Sequence, residues 1–497
     1  MTMTWMPRIR VARFIQGHAA GVIACARPYT LSPALATVMP ALLRIDPPPV
    51  AAPTTRRTRA GCEGRFAQAL LARRAPRARP AGRVRRRPPP SLRRIATRIR
   101  AFRGQVEEMS IASPGAARDA ASLMAARKIA ISTGGGDAPG LNAVIRAATL
   151  GALERGWEVW GIRQGYRGLL DDAPDGLIRL DRERVRGIAH LGGTILGTAN
   201  RGDPFHYPTP GEHGLVPRDR SEDLVRRFRA EGFDALISVG GDGSMRIAHQ
   251  LLQRGLPLVI GVPKTIDNDV CCTDLTFGFD TAVSIATEAL DRLHTTTEAH
   301  ERIMVVEVMG RHAGWIALNA GIAGGADAIL IPEIPFRFEA IAEKIRLRES
   351  RGRRFSIVVA AEGAYAQGGE LIIKDAGDAF RRTAVLGGVA ERVAKELAAR
   401  TGKEARSMVL GHLQRGGGPT TADRLLALRF GAAAARCLVE DCGSGMVALR
   451  SNRIELVPLE EVAGKTKTVP LDSDTVVTAR EMGLCFGDEA PGHFVAP

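Results

Sequence analysis

Eight short runs of β-branched and apolar residues, each followed by a longer amphipathic stretch, constrain this chain more than any other feature. They are "KIAIS", "WEVWGI", "DALISVGG", "LVIGVP", "IMVVEVMG", "AILIPE", "RFSIVVAAEG" and "SMVLGH", beginning at Lys128. Strands separated by helical lengths need crossover connections, and crossovers build a largely parallel sheet covered on both faces. A length of 497 residues exceeds one ordinary core, so two α/β domains and an appendage are expected. In such sheets ligands gather beyond the carboxyl ends of the strands, at a topological switch point.

The appendage is the first 126 residues. They carry 23 Lys and Arg against 5 Asp and Glu, which leaves 46 basic and 48 acidic residues over 127–497. The net charge of +16 therefore sits at one end, and the body offers no basic face for nucleic acid. The stretch "LARRAPRARPAGRVRRRPPPSLRRIATRIRAFRG" mixes dense arginine with prolines that break helix and strand, so no packed core is expected there. It reads as an organelle transit peptide, a nucleic-acid-binding arm, or upstream sequence included by a wrongly chosen start codon, Met124 standing just before the first clean strand. Seven cysteines without a CxxC pair fit a reducing compartment. No apolar run is long enough to span a membrane.

Three post-strand loops carry the chemistry. "STGGGDAPGLNAVIRAA", Ser132 to Ala148, closes a strand with glycines and opens a helix, as either a tight turn or a phosphate cradle does. "SVGGDGSMR" repeats the arrangement with Asp242 embedded, well placed for a metal ion beside phosphate oxygens, or for an Asx-type turn or helix cap. "PKTIDND" ends an apolar run with Asp267 and Asp269 two residues apart. One such carboxylate can take a proton from a hydroxyl while the other supports a metal through water; a solvated acidic turn is the alternative. Arginines suited to phosphate flank two further strands: Arg302 and Arg311 around "IMVVEVMG", and Arg406 and Arg415, with His412, around "SMVLGH".

From about 127 to 480 the chain resembles the phosphofructokinases. The matching segments, in the family's order, are "GGDAPGLNAVIR", "GGTILGTANR", "GGDGS", "PKTIDND", "GFDTA", "VEVMGRHAGW", "AAEGA" and "LGHLQRGG". The resemblance implies two Rossmann-like three-layer α/β domains with the active site in the cleft between them. A phosphoryl-donor domain would span 127–278 plus about 414–465, and a fructose-6-phosphate domain 279–413 plus about 466–497. The implied reaction moves the terminal phosphoryl group of ATP to the 1-hydroxyl of fructose 6-phosphate, with magnesium, in a cytoplasmic glycolytic enzyme.

Carried over by motif, Asp267 is the base, Thr265 sits beside the transferring phosphate, and Arg311 stabilises its charge. Gly136, Arg201, Asp242, Gly243, Ser244 and Lys264 bind the donor, and Asp242 with Asp269 serves magnesium. Thr265, Asp267, Asp269, Met309, Gly310, Arg311, Glu362, His412 and Arg415 bind the sugar. Arg302 and Arg406 reach its 6-phosphate from a neighbouring subunit, which implies a dimer or tetramer, with no nucleic acid or membrane partner.

Two features bear on the donor. Gly243 leaves room for the α-phosphate of a nucleotide that an acid there would repel. Lys264 points towards pyrophosphate, the family's other donor, and the combination resembles a mixed subgroup in which ATP is the expected choice. In "GTANRGDP" the arginine lies one place later than in the compared ATP enzymes, which weakens Arg201 as a ligand. NAD and lipid kinases share the GGDG loop but not "PKTIDND", "VEVMGR" or "LGHLQRGG".

Overall fold

The computed structural model describes residues 127–494 apart from 172, 200, 213, 376–384 and 441. The readings of the arginine-rich segment 1–126 lie outside the described residues. All eight expected runs form strands. In chain order the strands are β1 Lys128–Thr133, β2 Glu158–Ile162, β3 Leu177–Arg179, β4 Tyr207–Gly211, β5 Gly214–Arg218, β6 Ala235–Gly240, β7 Val259–Thr265 and β8 Phe277–Gly278. They continue with β9 Ile303–Val308, β10 Ala328–Leu330, β11 Ser356–Ala361, β12 Ile373–Asp375, β13 Val385–Leu386, β14 Ala405–Val409, β15 Gly445–Arg450 and β16 Arg453–Val457.

Two main sheets result. The first runs β16-β15-β7-β6-β1-β2-β3, with β8 added to β7; its central pairings are parallel and only β3 and β16 run antiparallel at the edges. The second runs β10-β11-β9-β14 and is parallel throughout. Short hairpins, β4–β5 and β12–β13, stand apart from both.

Helices cover the sheets because their apolar residues recur on one side. α1 (Leu141–Leu153) follows β1, α2 (Ser221–Ala230) precedes β6 and packs on the first sheet, and α3 (Asp242–Gln253) follows β6, while α4 (Phe279–Ala299), α5 (Trp315–Ala323), α6 (Phe338–Ser350) and α7 (Val389–Thr401) accompany the second. α8 (Thr421–Val439) returns to pack on α1, and the contact is close because Gly431 lies against the backbone of Val144 where a Cβ would stand 2.5 Å from its carbonyl oxygen. The first sheet thereby has an apolar layer on each face, one built around Ile129, Ile131, Val239 and Phe430, the other around Leu236, Met245, Val259 and Phe228. The second sheet is buried the same way, by Val306, Val359 and Ile316 on one side and Val305, Val358 and Val393 on the other.

Each sheet has a point where the chain turns from one side to the other. In the first it lies between β1 and β6, and in the second at β9, flanked by β11 and β14. Loops leaving these strands diverge and open a crevice. One expected burial differs: the apolar "SMVL" run forms an edge strand, with Met408 at 40% and Val409 at 50% exposure. Apolarity alone does not separate a central strand from an edge awaiting cover.

The N-termini of α4 and α8 cap each other. Asp423, 2% exposed, accepts the Thr281 N–H at 2.7 Å and its hydroxyl at 2.6 Å, while the Thr420 hydroxyl oxygen accepts the Asp423 N–H at 3.3 Å. Removing the carboxylate would orphan a buried N–H and hydroxyl and loosen the junction between a helix of each sheet. Asp423→Ala is expected to cost roughly 2–4 kcal/mol, read as a lowered urea midpoint at unchanged m-value.

Candidate active site

The first switch point holds the two glycine loops. Gly134–Gly136 follow β1, and Gly240 ends β6 and leads into Gly241 and Asp242, with the Gly134 N–H donating to the Val239 carbonyl at 2.9 Å. Ser244 turns inward to the seam: Cβ atoms on Gly134 and Gly240 would stand 3.0 and 2.1 Å from its Oγ. Only glycine lets the two loops meet this hydroxyl. Gly243 is the opposite case, since a Cβ there would meet nothing within 4 Å. Asp242 opens α3, and its Oδ1 accepts the Gly464 N–H at 3.0 Å.

Lys264, the penultimate residue of β7 and 4% exposed, donates from Nζ to the Gly136 carbonyl. Burial, and then the nearby Arg415 charge, bring its ammonium down to about 8. Arg415 approaches the same glycine loop from the other lobe: its Nη1 donates to the Asp137 carbonyl at 3.0 Å, and a Cβ on Gly136 would stand 3.0 Å from that nitrogen. The loop is thus gripped by two cations from different elements.

The "PKTIDND" loop leaves β7 beside them. The Asp267 N–H donates to Thr265 Oγ1 at 3.1 Å, and the Thr276 hydroxyl donates to the Thr265 carbonyl at 2.9 Å, so the loop is closed at its base. Asn268 adopts φ 51° and its Oδ1 accepts the Thr276 N–H at 3.1 Å. Asp267 keeps some exposed surface as a residue, yet its Oδ1 is buried and meets no donor among the described residues. Burial, and next the charge of Asp269, push its carboxyl up to about 7, with Glu362 adding to the rise and Arg415 and Arg311 opposing it. An acid held near neutrality is suited to accept a proton at physiological pH.

The second switch point supplies the facing residues. Met309, Gly310 and Arg311 follow β9; the Met309 N–H donates to Oε1 of the buried Gln414 at 3.3 Å, and Gly310 has φ 133°. Glu362 follows β11, its N–H donating to the Val308 carbonyl at 2.9 Å. His412, exposed, and Arg415 lie on the turn after β14. Arg201 is exposed on the segment whose Thr198 hydroxyl donates to the Gly135 carbonyl. Arg302 and Arg406 are elsewhere. They begin β9 and β14, so a whole strand, roughly 20 Å, separates them from Arg311, and both face Glu404, at 3.8 and 2.8 Å.

Sequence reasoning passed over Gly464 and Lys467. No glycine loop or acidic cluster marks "AGKTKTV", yet it crosses the acidic loop: the Lys467 N–H donates to the Asp269 carbonyl at 2.8 Å and its ammonium to Asn268 Oδ1 at 3.0 Å. The signal was the lysine pair itself, which resembles an ordinary solvated turn.

Asp242 and Asp269 fit a hard divalent cation. Burial, opposed by the Gly464 N–H and aided by the Asp269 charge, raises the Asp242 carboxyl, a strain that a cation between the two would relieve. Among the described residues no group of three or more His, Cys, Asp and Glu gathers as a metal site. Magnesium is commonly held by one or two carboxylates plus phosphate oxygens and water.

Comparison with known proteins places this geometry. The phosphofructokinase family model matches residues 128–438. A Clostridium perfringens protein named ATP-dependent 6-phosphofructokinase 2 is 48% identical over 365 residues, 73% of this chain and 99% of the relative. The T-state phosphofructokinase structure of Pichia pastoris superposes with a TM-score of 0.59 at 32% identity over 72% of this chain; the match spans 36% of that longer chain. The pyrophosphate-dependent phosphofructokinase of Marinobacter aquaeolei superposes at 0.58 with 25% identity, over 73% of this chain and 93% of its own. The family match covers both glycine loops, the acidic loop and the strands of the second sheet together, and the chain belongs to the phosphofructokinase family.

Proposed function

We propose that this protein transfers the terminal phosphoryl group of ATP to the 1-hydroxyl of fructose 6-phosphate. The observation that carries the reading is Asp267, a carboxyl lifted to about 7 with an unpartnered buried oxygen, between two glycine loops and two arginines of the facing lobe. In the reaction Asp267 takes the hydroxyl proton as the sugar oxygen bonds to the terminal phosphorus. The bond from that phosphorus to the bridging oxygen breaks, and ADP leaves with its electron pair. Arg311 and Thr265 face the transferring group, while Gly136, Gly243, Lys264 and Arg201 line the donor. Magnesium, when bound by Asp242 and through water by Asp269, neutralises charge on donor oxygens.

Met309, Glu362, His412 and Arg415 hold the sugar. Arg302 and Arg406 serve a neighbouring copy: they stand far from their own crevice, Arg302 just before β9 and Arg406 at the start of the adjacent exposed edge strand β14. A homo-oligomer and a cytoplasmic location belong to the same reading. Among the described residues no helix is long and apolar enough to cross a membrane.

ATP is favoured by the open space at Gly243. A pyrophosphate-dependent reading is supported by Lys264, whose buried ammonium stands against the first glycine loop. The two separate in one assay with fructose 6-phosphate, magnesium and either donor; turnover with ATP and little with pyrophosphate is expected, and the reverse would give the second reading. Gly243→Asp should fold normally, because its side chain enters free space, and raise the KM for ATP at least tenfold through repulsion of the α-phosphate.

Asp267→Ser should lower kcat by about 10³-fold or more while changing the KM for fructose 6-phosphate little, since the lost proton acceptor acts in the transition state. The same variant has a stability signature. The native carboxyl titrates at about 7 and an unfolded one at about 3.9, so between these values the native state binds more protons. Stability is then lost as pH rises through that window. In metal-free buffer Asp267→Ser is expected to melt higher than the parent above pH 7, the difference vanishing below about pH 4. A uniform destabilisation would remove the electrostatic argument.

A further inference from the structure

We propose that Lys467 is a positioning residue for phosphoryl transfer, acting as a peg that shapes the loop Thr265–Asp274 while the segment Gly464–Val469 straps that loop to both lobes. The inference rests on the phosphofructokinase reading above and adds to it a residue outside the glycine, acidic and arginine motifs.

The ammonium has three N–H groups and three acceptors: Asn268 Oδ1 at 3.0 Å, the Thr273 carbonyl at 2.9 Å and the Asp274 carbonyl at 3.0 Å. No donor is left for a ligand, so Lys467 acts through the loop. Its key contact is Asn268, whose φ of 51° is unusual for a residue other than glycine. The Asn268 side chain is held by the ammonium and by the Thr276 N–H together. Because Asp267 and Asp269 flank Asn268 directly, the peptide orientation at this residue sets the aim of both carboxylates.

The strap extends the control to three separate places. Gly464 N–H donates to Asp242 Oδ1 at 3.0 Å, at the second glycine loop. Thr466 bridges to Val270 and the Lys467 N–H donates to the Asp269 carbonyl, at the acidic loop. On the far side the Trp315 indole donates to the Lys467 carbonyl at 3.2 Å. Glu333 Oε1 accepts both the Val469 N–H at 2.8 Å and the Gly314 N–H at 3.1 Å. Gly314 and Trp315 sit just beyond Arg311, so one short segment fixes the proposed metal carboxylate, base loop and charge-stabilising arginine relative to one another.

Displacing a reacting group by about 1 Å can cost on the order of 100-fold in rate, while ground-state binding by groups outside the loop is left in place. Lys467→Ala is therefore expected to lower kcat 30- to 100-fold, with the KM for fructose 6-phosphate within about threefold of the parent, and propylammonium added to the buffer should restore part of the lost kcat. If Lys467→Ala does not fold, Lys467→Arg carries the test. It keeps the charge but spreads its donors over a planar fork that cannot serve these three acceptors from one nitrogen, and at least a tenfold fall in kcat at unchanged KM is expected. An idle parent protein in the same assay would overturn the phosphofructokinase reading and the peg with it. An active parent beside a variant retaining half its kcat, or one losing sugar affinity and turnover alike, would overturn the peg alone.

Discussion

The contact on which the crevice depends is the buried ammonium of Lys264 against the carbonyl of Gly136. It joins the end of β7 to the loop after β1 across the position of β6, so the glycine loops and the acidic loop share one wall. Desolvating an amine is costly, and its fall to about 8 records that cost. Arg415 grips the next residue of the same loop from the second lobe. Two cations on consecutive carbonyls leave the glycine amides on the other side of the backbone, where phosphate oxygens can meet them.

A second consequence is the separation of like charges by task. Asp242, Asp267 and Asp269 converge, and the charge of Asp269 raises the carboxyls of both Asp242 and Asp267. The loop nevertheless gives them different surroundings. Asp242 takes a backbone N–H from the strap, whereas Asp267 Oδ1 meets no donor among the described residues. The fixed N–H opposes the rise that burial imposes on Asp242, whereas an unsatisfied buried oxygen favours holding a proton, suited to exchange with a hydroxyl.

Much of the fold was legible because parallel strands advertise themselves. "LVIGVP" and "IMVVEVMG" are buried on both faces and read as apolar runs, the second broken only by the buried Glu307, and all eight expected runs are strands. What the pattern missed lies partly at the edges: β3 is three residues long and β16 is an alternating edge strand. β15, six residues long and buried between β16 and β7, was missed because it starts within a Gly-Ser-Gly turn and carries no motif at its end. At the crevice, motifs announced the residues at strand ends. Lys467 was hidden because its role comes from tertiary placement: nearly two hundred residues separate it from Asn268, and no local spacing encodes that meeting. Ser244 reads in sequence as a donor ligand, while its hydroxyl is turned between Gly134 and Gly240, an orientation only the packing reveals.

The same packing explains why so polar a crevice is tolerated. An acid raised to about 7 and an ammonium lowered to about 8 are both displaced towards neutrality, each by burial first. A crevice of this kind is strained in electrostatic terms, and proteins retain such strain where a function needs it. The cost is carried by cores that do not share in it: Val239 and Phe430 on one side and Val306 and Ile316 on the other are fully buried and apolar. A cation beside the carboxylates would favour their ionised forms, and phosphate beside the ammonium and arginines would favour the charged amine. Complementarity to a charged ligand pair is therefore built into the same displacements that burial imposes on Asp267 and Lys264.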